Sequence, residues 1–133
     1  MSNAFNNWAA IANAIEPACE EAVTATAQAG KTHVQDQIKA NNQVRTGEML
    51  GSVYASTPQG SDYQGGEHML PEEKPSSNTE AIVGVASDHG VFPELGTVFQ
   101  ASHPYFSPGM DLTLSDFDTA LEILAKRLEE AGK

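Results

Sequence analysis

Cysteine and basic residues are scarce in this sequence, and each shortage excludes a class of protein. Cys19 is the only cysteine among 133 residues, so no intrachain disulfide can form and a disulfide-stapled secreted scaffold is excluded. Its Ala-rich surroundings predict a small buried side chain rather than a reactive thiol. Lys and Arg number seven against eighteen Asp and Glu, which gives a formal net charge of −11 at pH 7. Such a chain repels the phosphates of nucleic acids, so specific nucleic-acid binding is not expected.

Long apolar runs and catalytic motifs are also missing. The first residues contain no basic stretch and no sustained apolar core, so we expect neither a signal peptide nor a membrane span. Neither a phosphate-binding GxxxxGK[ST] nor a zinc-binding HExxH occurs. Two sets of residues resemble metal ligands in type alone: His68 with Glu67, Glu72 and Glu73, and Glu94 with His89 and His103. Because no rigid spacing holds either set together, we predict no metal, no cofactor and no catalytic residue.

The sequence does contain enough apolar residues, 40% of the total, to form the core of one globular domain over residues 1–133. The acidity is uneven, since twelve of the eighteen acidic residues follow Tyr63. Two interpretations stay open. The acidic side chains form an ordinary solvated surface, or they face a polyanion that must pass without sticking.

A long helix is predicted from about Asn3 to Asn41 by apolar residues that recur every three or four positions. Pro17 interrupts it, and one interpretation is that this proline opens a second helix at its first position. Half of the apolar stripe after Pro17 consists of small residues, which allows another element to approach closely. That element is either a sheet of the same chain or a neighbouring subunit. The stripe comprises Cys19, Val23, Ala27, Gly30, Val34 and Ile38.

Strands are predicted on both sides of a long loop. Gln43–Ser56 alternates in a way that favours a strand with both faces partly covered, and Ala81–Ala86 is apolar and β-branched. We expect the two to pair antiparallel. Residues 57–80 are rich in Pro, Gly, Ser and acid, and they predict a long flexible loop that orders on assembly or stays disordered.

An aromatic segment, Val91–Pro108, is punctuated by three prolines and Gly96, so it cannot be one continuous helix or central strand. We predict that it joins the sheet to the last helix and presents part of an assembly surface.

The chain closes with an amphipathic helix. Ser107 followed by Pro108 has the form of an N-cap with proline at the first helical position, and Ser115 offers a later start. Apolar residues at spacings of three and four predict the core-facing side. The overall prediction is an α+β fold with a long N-terminal helix, a small antiparallel sheet of about three to five strands, and this C-terminal helix packed on the sheet. The predicted core-facing residues are Leu114, Phe117, Leu121, Leu124 and Leu128.

Three motifs in this order resemble the head–tail joining family of long-tailed bacteriophages, the neck or tail-completion proteins also called minor tail components. The family pattern is TG-x-L-x-x-S-hydrophobic, then E-[FLYW]-G-T, then P-F-[LM]-x-P and a closing helix. His89-Gly90 and His103 depart from it, standing where the family often has Tyr-Ala and a basic residue. The matching residues are Thr46, Gly47, Met49 (in the Leu place), Ser52 and Val53 for the first motif, Glu94, Leu95, Gly96 and Thr97 for the second, and Pro104, Tyr105, Phe106 and Pro108 for the third.

The resemblance implies a structural protein of the virion without enzymatic activity. Such proteins form homo-oligomeric rings between the head connector and the tail tube or terminator, in the virion and, during assembly, in the host cytoplasm. DNA would pass through the ring without specific binding, and no membrane would be involved. Arg45 is a candidate for an ion pair between subunits, although an ordinary surface arginine is the other interpretation. The alternative functions are a tail terminator or tail-tube-associated minor tail protein, or an acidic adaptor that binds a basic partner.

Overall fold

The computed structural model describes residues 3–41, 48–88 and 104–132. Over these ranges the order is α1 (Asn3–Ala40), α2 (Glu48–Gly51), β1 (Val53–Thr57), β2 (Gly60–Ser61), β3 (Ile82–Val85) and α3 (Phe106–Ala131). The three strands form an antiparallel sheet in the order β2-β1-β3. The predicted α+β class, with a long first helix, a small antiparallel sheet and a last helix, is confirmed.

Helix α1 runs for 38 residues without a break at Pro17. The interpretation that Pro17 opens a second helix is therefore wrong. Proline lacks the N–H that would bond the carbonyl of Asn13 one turn earlier. Both residues are exposed, so water can donate a hydrogen bond to that carbonyl. The buried stripe that follows holds the rest of the helix in place.

The strand predicted from residue 43 starts later than expected. Glu48–Gly51 forms a single helical turn, and the Ser52 hydroxyl donates a hydrogen bond to the Met49 carbonyl oxygen at 2.8 Å as that turn ends. β1 then begins at Val53, and all five of its residues are buried. Its antiparallel pairing with β3 is confirmed, with Tyr54 opposite Gly84. Residues 43–47 lie outside the described ranges.

Both faces of β1 are covered, as the sequence predicted. Side chains alternate along a strand, and Val53 belongs to the buried cluster shared with Val34 and Ile38 of α1. Tyr54 and Ser56 lie on the opposite face. The Tyr54 ring occupies the space over Gly84, where an added Cβ would come within 2.5 Å of it. Any side chain at position 84 would therefore displace this ring.

Residues 57–80 supply the cover on that second face. The Tyr63 ring packs edge-on against Tyr54 with the ring centroids 5.1 Å apart, and the Tyr54 hydroxyl accepts a hydrogen bond from the Glu73 backbone N–H at 2.9 Å. Asp62 accepts the Ala55 N–H at 2.8 Å and pairs with Lys31 of α1 at 2.5 Å. The segment thus has specific attachments to β1 and α1. The flexibility expected of it stays a prediction.

Helices α1 and α3 run antiparallel and close together. Gly109, near the start of α3, lies beside Val34, and Gly132, just after its end, lies beside Ile11. A Cβ added at Gly109 would be 2.8 Å from the Val34 Cα. The first turns of α3 also reach the core that contains β1, through Phe106. The last helix therefore meets the sheet at its start and follows α1 along the remainder of its length.

The start of α3 differs from both sequence interpretations. Tyr105 is the N-cap residue, without a side-chain capping hydrogen bond, and the helix begins at Phe106. Ser107 and Pro108 are the second and third helical residues. Ser115 lies within the helix, where its hydroxyl donates to the Leu112 carbonyl oxygen. Tyr105 is buried in the core, which fixes the position of the residue just before the helix. This accounts for a helix start before Ser107.

Candidate assembly surface

The face of α3 that is buried is not the face with the largest apolar residues. Gly109, Thr113 and Ala120 are the buried residues of this helix. Small residues permit a close approach to α1, which a row of leucines would prevent. The prediction that the leucine-rich stripe faces the core is therefore wrong for much of its length.

Three members of that stripe are exposed to solvent. Leu114 is 64% exposed, Phe117 40% and Leu121 42%. We call these three side chains the apolar row. Isolated exposed apolar residues are common on soluble proteins, but these lie at successive turns of one helix face. Contiguous apolar surface of this kind is typical of an interaction site.

An acidic row lies along α3 next to the apolar row. Its members are separated by seven, four and seven residues, which keeps them near one face of a helix. All are exposed, and none forms an ion pair within the described residues. The apolar row is thus bordered by negative charge. The acidic row consists of Asp111, Asp118, Glu122 and Glu129.

A groove of about 290 Å³ opens beside Phe117, between α1, α3 and the segment that leads into β3. Val23 and Ala27 of α1 form one wall, and Val83 of β3 contributes to the floor. Most of its lining is apolar, so the groove extends the apolar surface beside Phe117.

The other side of the α1–α3 contact has a different shape. Two adjoining hollows of about 190 and 160 Å³ lie there between the helices. We call them together the alanine trough, because alanines dominate the lining. Ile123, which is 55% exposed, stands at its rim. The alanines that line it are Ala18, Ala22, Ala25, Ala29 and Ala120.

Charged residues of both signs border the trough. Arg127 lines it and pairs with Glu21 of α1, and Lys126 is an exposed neighbour on α3. The His33 ring lies 2.5 Å from an Asp116 carboxylate oxygen across the same pair of helices. Glu21 and Asp116 also line the trough, so it carries carboxylates as well as Arg127.

Glu72, like Asp62, is held in place within the 57–80 segment, in this case by serine hydroxyls. Hydrogen bonds from the Ser61 and Ser56 hydroxyls lower the pKa of the Glu72 carboxyl; burial opposes this shift, and Lys74 adds a lesser lowering effect. The Ser56 hydroxyl lies 2.9 Å from a Glu72 oxygen. The Glu72 side chain is thus fixed by hydrogen bonds to the sheet. Glu67 and Glu73 are exposed.

The described part of the chain brings no three His, Cys, Asp or Glu side chains together in a way that could hold a metal ion. His68 instead lies 3.7 Å from Asp88. Glu94, His89 and His103, the other set considered from the sequence, lie outside the described residues. Across 3–41, 48–88 and 104–132, no helix is both long and apolar enough to cross a membrane.

Of the motif residues, the third set is the best placed. The Pro104 carbonyl accepts a hydrogen bond from the Asn41 side chain at 2.7 Å. Tyr105 is buried in the core, Phe106 packs against it, and Pro108 lies in the first turn of α3. From the first set, Met49 and Val53 contribute to the same core.

Ser52, from the first set, is buried where the turn before β1 ends. The other motif residues and the proposed ion-pair residue lie outside the described ranges. They are Thr46, Gly47, Glu94, Leu95, Gly96, Thr97 and Arg45.

Sequence reasoning did not find the alanine trough. The signal was present, because Ala18, Ala22, Ala25 and Ala29 recur at spacings of four, three and four. Such spacing marks one face of a helix, but alanine contributes little to a search for strongly apolar positions.

Searches against protein-family models, curated proteins and solved structures give no match to this chain.

Proposed function

We propose that this chain is a structural protein of a phage virion, a subunit of the oligomeric ring that joins the head connector to the tail. The observation that carries the proposal is the exposure of large apolar side chains on both sides of the α1–α3 contact. Phe117 and Leu121 face solvent on one side and Ile123 on the other. A closed ring requires two different contact surfaces on each subunit, and this arrangement supplies two.

The sequence motifs supply the specific context. The spacing of the TG-x-L-x-x-S, E-[FLYW]-G-T and P-F-[LM]-x-P elements resembles neck proteins, as described above. Tyr105 and Phe106 of the third element lie in the core, consistent with a motif that maintains the fold. The acidity suits a ring through which DNA moves, because like charge discourages adhesion.

Two measurements test this proposal. Light scattering and negative-stain electron microscopy of the purified protein should reveal rings. Deletion of the gene from a phage or prophage that carries it should leave filled heads and separate tails that fail to join. Joined, infectious particles after deletion would contradict the proposed function, whatever the oligomeric state of the purified protein.

The acidic row favours a second candidate, an acidic adaptor that binds a basic partner protein. In that case the deletion would leave head–tail joining intact, and the purified protein would be monomeric until the partner was added. The Glu122→Lys variant would then lose the partner without any change in virion structure.

A further inference from the structure

We propose that residues 62–80 form a strap that closes over one face of the sheet and opens as a unit while the helices and the sheet stay folded. That face carries Tyr54 and Ser56 of β1, and we call it the outer face. The inference concerns the purified chain, so it stands or falls independently of the proposed function.

The strap is attached to the same helix near both of its ends. At its start Asp62 pairs with Lys31 of α1 at 2.5 Å. Near its end the Asn78 side chain donates a hydrogen bond to a Glu16 carboxylate oxygen at 2.8 Å. The two points of attachment lie about 22 Å apart along the axis of α1. Between them the strap crosses the outer face.

Two carboxylates connect the strap to neighbouring residues of β1. Asp62 accepts the Ala55 N–H at 2.8 Å, and Glu72 accepts the Ser56 hydroxyl at 2.9 Å. Hydrogen bonds to ionised groups are stronger than those between neutral groups. Asp62 and Glu72 are therefore the anchors whose loss would release the strap from the sheet.

The strap covers buried side chains but buries none of its own residues. Tyr54 and Ser56 are 3% and 2% exposed, whereas four of the nineteen strap residues are half-buried and the others are exposed. A part of a fold opens most readily where few apolar side chains are buried and its hydrogen bonds lie near solvent. The strap meets both conditions, and its opening should cost less free energy than unfolding of the helices.

The rest of the molecule keeps its core when the strap opens. The buried cluster of Val34, Ile38, Val53 and Tyr105 contains no strap residue. The pairing of β1 with β3 also involves none. Opening therefore uncovers the Tyr54 ring without breaking the core, and the cost of exposing that ring keeps the closed form the more populated one.

The Leu70 amide can report whether the strap opens as a unit. Its N–H donates to the carbonyl oxygen of Ala86, just after β3, at 2.6 Å. This hydrogen bond involves neither anchor. If the strap opens as one piece, weakening the anchors must accelerate hydrogen exchange at Leu70, although the partner of that amide is unchanged.

The test is amide hydrogen exchange of the full chain at pH 7, resolved to single residues by NMR or fragmentation mass spectrometry. The strap variant is Asp62→Ala with Glu72→Ala. The matched control is Glu67→Ala with Glu73→Ala, which removes the same charge from the same segment. Both control side chains are exposed and lie on either side of Leu70 in the sequence. Circular dichroism confirms that each variant is folded.

In the wild-type protein, Leu70 should exchange faster than Val34 and Ile38 in the buried stripe of α1. In the strap variant, exchange at Leu70 should rise about tenfold, because loss of hydrogen bonds of ordinary strength shifts an opening equilibrium by that order. Exchange at Val34 and Ile38 should not change. The control should match the wild type at all three amides.

A second variant, Lys31→Met, leaves the sequence of the strap intact and removes the cation that pairs with Asp62. It should accelerate exchange at Leu70 in the same direction by a smaller factor. Lys39→Met is its control, since Lys39 is exposed on the same helix. Lys31→Met also decides the question if the strap variant does not fold.

Three results would overturn the inference. Equal exchange rates at Leu70 and Val34 in the wild-type protein would show that the strap opens only when the whole chain unfolds. Exchange at Leu70 as fast as in an unfolded chain would show that no closed form is populated. If folded anchor variants match their controls at Leu70, the strap is not held by these carboxylates as a unit.

Discussion

Gly109 lies where α3 comes close to the backbone of α1, and replacing it by alanine tests whether that close contact is real. The Cβ of an alanine at this position would lie 2.8 Å from the Val34 Cα and 2.9 Å from the Val34 backbone nitrogen. Both atoms belong to the backbone of α1, so no rotation of a side chain removes the clash. Relief requires the helices to move apart.

Two opposing effects set the magnitude. In a helix interior, alanine is favoured over glycine by about 1 kcal/mol, which alone would stabilise the variant. Overpacking of a well-packed site costs about 1–3 kcal/mol, and contact with the backbone places this site near 3 kcal/mol. The expected net loss is therefore about 2 kcal/mol in the free energy of unfolding, or a fall in Tm of roughly 8 °C at about 4 °C per kcal/mol.

Urea unfolding of the purified Gly109→Ala protein, followed by circular dichroism, measures this loss. Gly51→Ala is the matched control. A Cβ at Gly51 would meet no atom within 4 Å, so that variant should be within about 0.5 kcal/mol of the wild type. If Gly109→Ala is as stable as Gly51→Ala or more stable, the close helix contact and the reasoning built on small residues are both refuted.

Two further predictions concern the acidic residues of the 57–80 segment. Because hydrogen bonds from Ser61 and Ser56 lower the pKa of Glu72 in the folded chain, its contribution to stability is fully present above the ordinary carboxyl pKa of about 4.3. It is lost as the pH falls through the lowered value. Glu72→Gln should therefore reduce the pH dependence of the urea midpoint in the acid range, and an unchanged profile would contradict this anchoring. If the acids of this segment line the channel of the proposed ring, replacing the exposed Glu67 and Glu73 by Gln should slow DNA ejection; ejection and infectivity at wild-type rates would argue against that placement.

The sequence predicted the main elements well where one pattern dominated. The β-branched run around Val83 gave β3 and its antiparallel partner, and the stripe through Val34 and Ile38 gave the buried face of α1. The short turn at Glu48–Gly51 was missed because Leu50, Ser52 and Tyr54 continue an alternation into the true strand. The two-residue alternation of side chains does not by itself mark where such a strand begins.

The sequence could not predict which face of α3 is buried, for a different reason. Apolar periodicity identifies the most hydrophobic face, and that face contains Phe117 and Leu121. The buried face is set by how closely two helices approach, and this depends on the match between Gly109 or Thr113 and the residues opposite them on α1. That match depends on residues in two distant parts of the chain, so the apolar pattern of one helix cannot reveal it.

The proximity of Ile11 to Gly132, where an added Cβ would lie 3.0 Å from the isoleucine side chain, has a practical consequence for imaging. The start of α1 continues from Ile11 to Asn3, about 12 Å farther along the helix axis. A fluorescent protein or gold label fused to either terminus would therefore emerge at one pole of the subunit. The opposite pole, where Asn41 meets Pro104, would stay unlabelled. In averaged images of an assembly, the two fusions should produce extra density at the same pole, which gives every subunit a readable polarity.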